Sequence, residues 1–106
     1  MRRAEQDRDL GTRMADAIRE LFPGCPPAEA LAIAAHTTAR GSGRVGRTTA
    51  GKALDERAIA AAAIAAIRHI HTRYDELLMG GFDRVDARHA VREAVDRVLD
   101  SWRKPP

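Results

Sequence analysis

Only one cysteine occurs in this chain, Cys25, so no intramolecular disulfide can form and the fold must hold without one. It stands between Gly24 and Pro26 with no basic cluster beside it, and reads as a small apolar filler of a turn rather than a nucleophile. Aromatic residues make up only 4% of the sequence, which leaves Tyr74 and Trp102 without the exposed aromatic neighbours that a base-stacking platform needs. Long hydrophobic runs are missing too. The longest, Ala58 to Ile67, has ten residues, about half a membrane span. The N-terminus is charged and lacks an apolar signal core, so the expectation is a cytoplasmic protein with no membrane association.

What the chain does contain is alanine, the strongest helix former, which lets helix axes approach closely. Together with a length of 106 residues this predicts an all-α fold: one domain over residues 1–106, a compact bundle of four helices with frayed ends at 1–5 and 104–106. Charge is unevenly placed. The net charge is +3, yet residues 40–54 alone carry Arg40, Arg44, Arg47 and Lys52 with no acid, more than the whole excess. Four glycines in the same stretch argue against any regular element there, so 40–54 is expected to be a flexible loop.

In chain order, Leu10, Met14, Ala17, Ile18 and Leu21 mark one apolar face of a first helix over about 4–22, stopped by Pro23-Gly24. Pro26-Pro27 opens a second helix, with Leu31, Ile33, Ala34 and Ala35 as its apolar body and Gly41 as its closing cap. Asp55 is a good N-cap for the third, with Leu54 able to pack on Ile59. There Ala60, Ala63, Ile67, Ile70, Tyr74 and Leu77 recur at spacings of three and four. Thr72-Arg73-Tyr74-Asp75 imitates a capping box, so the helix either runs unbroken to Met79 or restarts near Thr72. The unbroken phase of the seam favours continuity. Gly80-Gly81 ends it, and Asp83 caps a last helix to about Arg103 that is lined by Val91, Val95, Val98, Leu99 and Trp102.

Several motifs invite chemistry. Gly41, Gly43 and Gly46 fit a dinucleotide fingerprint and Gly46 to Lys52 nearly fits a nucleotide-binding loop. Both motifs work only after a β-strand, and none is expected here; the second also has Ala53 where a magnesium-binding hydroxyl belongs. The physics that survives is general: exposed backbone N–H groups beside unpaired cations attract phosphate-like anions. His36, His69, His71 and His89 suggest a metal. However, His69 and His71 are two apart and face opposite sides of a helix, so no metal site and no cofactor is expected. His71 and Asp75, at i and i+4, can pair. Without a nucleophile that pair reads as local scaffolding, and no catalytic residue is assigned.

The run His69-Ile-His71-Thr72-Arg-Tyr74-Asp75-Glu-Leu77-Leu78-Met-Gly resembles an uncharacterised bacterial and fungal family, domain of unknown function 2293. The resemblance extends to Asp83-Arg84-x-x-Ala87-Arg88 and the closing Trp102-Arg103. Upstream it takes in Cys25-Pro-Pro-x-Glu29-Ala and Arg40-Gly-Ser-Gly-Arg-Val-Gly-Arg47, so it covers about residues 20–103. His69, His71, Thr72, Tyr74, Asp75 and Arg88 are the motif positions. The family pattern often has a histidine three residues before the one matching His69, where this chain has Ala66, which weakens a metal reading further. The resemblance implies identity and no activity.

Two function classes follow. The leading one is a nucleic-acid-binding module that is not sequence-specific. In it Arg40, Arg44, Arg47 and Lys52 contact phosphates, with Arg68, Arg73 or Arg88 in support. The alternative is a protein-interaction or homodimerising helical module; an enzyme ranks third.

Overall fold

The computed structural model describes residues 2–41 and 55–106. Those residues form five α-helices and no strand: α1 Arg2–Leu21, α2 Pro27–Gly41, α3 Glu56–His71, α4 Tyr74–Met79 and α5 Arg84–Arg103. The expected all-α bundle is present, with four long helices and α4 as a short fifth. Residues 42–54 of the Gly/Arg-rich loop lie outside the described residues, and with them the staple assigned to Leu54.

α1 buries Met14, Ala15 and Ile18, with Ala17 and Leu21 packed at the edge and Phe22, just past its end, buried too. α2 lies against it, joined through the turn at Pro23–Pro26. Its inward face is Ala30, Ile33, Ala34 and Thr38, while Leu31 and Ala35 are exposed; the helix is rotated from the face expected of it. Thr38 is a polar residue in the core, and its hydroxyl donates to the Ala34 carbonyl at 2.8 Å, so its burial leaves nothing unpaired.

The side chain of Asp55 accepts from the Arg57 backbone N–H at 3.2 Å and so caps α3, as expected. Ile59, Ala63 and Ile67 are buried at intervals of four, and α3 packs on α1, α2 and α5. The helix does not continue to Met79. It ends at His71, and Thr72 is extended (φ −134°, ψ 175°). The cause is local. The Thr72 hydroxyl donates to the Arg68 carbonyl, which would otherwise take a helical backbone N–H, and accepts from the Tyr74 N–H at 3.1 Å. The capping box does not form. Arg73 is the N-cap of the next helix and makes no side-chain cap bond, the Thr72 hydroxyl takes the Tyr74 N–H instead, and Asp75 turns elsewhere. The break keeps Tyr74 in the core but leaves Ile70, expected on the seam, 60% exposed.

α4 closes with a two-bond cap: the Phe82 N–H donates to Leu77 O at 3.0 Å and the Gly81 N–H to Leu78 O at 3.2 Å. Gly81 has φ 102°, the one position where this turn requires glycine. Asp83 then accepts from the Asp86 N–H at 2.8 Å and starts α5. α5 buries Ala87, Val91, Val95, Leu99 and Trp102. Its C-terminal end docks on the α1–α2 turn, where the Gly24 N–H donates to Trp102 O at 2.7 Å.

Candidate functional site

The residues of the His69–Asp75 run divide between two sides of the molecule. Because α3 stops at His71 and α4 starts in a new direction, Asp75 meets His69 and not His71: His69 Nδ1 and Asp75 Oδ1 are 2.6 Å apart. The pair expected between His71 and Asp75 does not form. His69 also meets the Tyr74 ring edge-on, with centroids 5.2 Å apart, and the Arg68 guanidinium lies 5.5 Å from the centre of the same ring. His71 faces the other way. Its Nε2 is 2.5 Å from Glu29 Oε1 on α2, and its ring stands edge-on to Trp102 of α5 at 6.1 Å. This one imidazole bridges three helices.

The histidines therefore do not share a site. His36 is exposed on α2 and His89 is exposed on α5, and neither makes a hydrogen bond or ion pair with another described side chain. Among the described residues no three His, Cys, Asp or Glu side chains stand close enough to hold a metal ion. Cys25 is buried beneath the α1–α2 turn. Burial, reinforced by the nearby Glu29 carboxylate and opposed by Arg19, raises its thiol from the ordinary 9.0 to about 11. It is a protonated thiol at neutral pH, which suits packing and not nucleophilic attack.

A groove of about 340 Å³ lies between α3 and α5. Its apolar lining is the buried Val95 and Leu99 with the half-buried Ile64, and Val85, 61% exposed, adds to it from the surface. Its rim carries Arg68 from α3 and Arg88 and Arg92 from α5, with His89 and Asp96 beside them. Helical spacing explains the clustering. Arg84, Arg88 and Arg92 recur every four residues and drift about 40° per step, which keeps them on one flank of α5. Asp86, Glu93 and Asp100 fall on the outward side instead. Arg88, Arg92 and Asp96 make no hydrogen bond or ion pair with any other described side chain.

Of the arginines assigned from sequence as supporting contacts, Arg68 and Arg88 thus come together. Arg73 does not: it is bound to Glu76 at 3.3 Å on the exposed side of α4. Arg44, Arg47, Lys52 and the side chain of Arg40 lie outside the described residues. Sequence reading missed Arg92, His89 and Asp96. The four-residue arginine repeat was their signal, obscured because acids alternate with the arginines along the chain and separate from them only when it coils.

The fold and groove define a small all-α domain with an open, arginine-rimmed cleft and, among the described residues, no metal-binding cluster. The chain belongs to the family described as "Uncharacterized conserved protein (DUF2293)", whose model matches residues 17–103. No curated protein and no solved structure matches it.

Proposed function

We propose that this chain is a nucleic-acid-binding module that grips phosphates without reading sequence. The observation that carries the reading is the meeting of Arg68, Arg88 and Arg92 from two helices on one groove, against a single carboxylate, Asp96. Guanidiniums with no ion-pair partner among the described residues, carried on a helical frame, suit phosphate oxygens, which they bind in a bidentate manner. The acid-free stretch with Arg40, Arg44, Arg47 and Lys52 rejoins the described chain at Asp55, about 20 Å from Arg68 along α3.

The test is a salt titration of binding to an unrelated duplex and to single-stranded RNA. Each phosphate contact contributes about −0.9 to the slope of log affinity against log salt for duplex. The double variant Arg88→Ala/Arg92→Ala, and separately Arg44→Ala/Arg47→Ala, should each weaken binding to all sequences alike and flatten that slope by about 2. No binding at low salt, or equal binding by both variants, would remove the proposal.

A second reading has its own support. Met79, Phe82 and Val85, around the α4–α5 turn, are all exposed, Met79 at 89%, as an apolar protein-binding surface or dimer contact would be. Concentration-dependent self-association on a sizing column, lost in Met79→Ser/Phe82→Ser, would favour it.

A further inference from the structure

The nucleic-acid reading leaves open which form of the polymer the groove between α3 and α5 takes. We infer that it accepts an unpaired nucleotide of a single strand: the phosphate on the arginine rim, the base over the aliphatic floor, and the base's amino group on Asp96. This inference rests on the nucleic-acid reading and narrows it.

Three features of the groove point the same way. Its apolar lining of Ile64, Val95 and Leu99, with the exposed Val85 beside it, has nothing to cover on a duplex, which turns its bases inward and presents phosphate and sugar. An unpaired base is a flat, weakly hydrated surface, and a volume of about 340 Å³ lies within the range of small-ligand clefts, suited to one nucleotide. Arg68 is already positioned by the Tyr74 ring, so its planar head is held in place at the rim before a ligand arrives.

Asp96 is the most selective feature. A lone carboxylate among three arginines opposes any purely anionic occupant, whether a duplex backbone or an acidic peptide. It makes no ion pair with the described arginines, so its acceptor oxygens are not satisfied by them. A carboxylate accepts from the exocyclic amine of cytosine and finds no such donor on uracil at the equivalent position. The groove should therefore prefer amino-bearing bases.

The experiment is fluorescence anisotropy at neutral pH with labelled oligo-C and oligo-U RNA of about twelve nucleotides and a duplex of equal length. Wild type is measured beside Asp96→Ala and Val85→Ser, both at exposed positions of α5 where the fold should survive. Oligo-C should bind about tenfold tighter than oligo-U, the scale of one charge-assisted hydrogen bond. Asp96→Ala should erase that difference, while its loss of negative charge raises affinity for every strand alike, and Val85→Ser, which adds no charge, should weaken both single strands while sparing duplex. Equal affinity for the two single strands in wild type, a preference that survives in Asp96→Ala, or duplex binding as tight as single strand would each overturn this inference and leave the broader reading standing. Absence of binding to all three nucleic acids would bring down both. Capture instead of a Glu-rich amphipathic peptide, lost in Arg88→Ala/Arg92→Ala, would replace both with a protein partner.

Discussion

Glu29 and His71 are 42 residues apart in sequence and 2.5 Å apart in the fold. Their contact sits beside two other close approaches: His71 on Trp102, and Gly24 on the carbonyl of Trp102. Gly24 is the tightest of these. A Cβ built there would stand 2.4 Å from the Lys104 carbonyl oxygen and 2.5 Å from that of Ser101, both backbone atoms that cannot swing aside. Gly24→Ala therefore sets two effects against each other. Restricting the unfolded chain would stabilise by about 0.4–1 kcal/mol, whereas forcing the α5 end away should cost about 1–3 kcal/mol. The clash should win, with a lowered denaturation midpoint in urea; a midpoint at or above wild type would show that the turn does not seat on α5 this closely.

At the scale of elements, the decisive feature is the break between α3 and α4. Apolar spacing carries straight through Thr72, because Ile67 and Tyr74 are both buried seven residues apart, as in one long helix. Periodicity alone is therefore blind to the break. At the break the Thr72 hydroxyl donates to the Arg68 carbonyl, as Thr38 does to Ala34 within α2. In addition it accepts from the Tyr74 N–H, the bond that sets it apart from a threonine inside a helix. The redirected chain pairs Asp75 with His69 and leaves Ile70 outside. Thr72→Ala removes both hydroxyl bonds and should cost about 1 kcal/mol, the usual net worth of a side chain–backbone hydrogen bond. Amide exchange should read it out as loss of protection at Tyr74 and Leu77. Unchanged stability would mean that packing of Tyr74, and not Thr72, holds the break.

For the molecule as a whole, the core is continuous from Met14 on α1 through Ile67 on α3 to Trp102 on α5. Ile67 is fully buried, and Ile67→Asp would place an unpaired carboxylate among aliphatic groups. The cost of several kcal/mol is comparable to the whole stability of a domain this size, so the variant should lose its cooperative melt in circular dichroism. A near-native melt would show that the core does not pass through α3.

Helix content, the two aspartate caps, the stop at Pro23-Gly24 and most of the buried faces were legible in the residues. Each depends on interactions within a few positions, and such short-range rules act the same in any fold. The expected face of α2 failed at Leu31 and Ala35, because alanine is apolar enough to fit either side and so sets no orientation by itself. The histidine partners failed for a different reason. His71 could reach Asp75 or Glu29, and the choice depended on where the axis turned at Thr72. The groove had to wait for the assembled fold altogether: Arg68 belongs to α3, Arg88 and Arg92 to α5. Their approach to one another follows from the angle at which two helices pack, which is set by side chains meeting across the core and leaves no trace in local spacing.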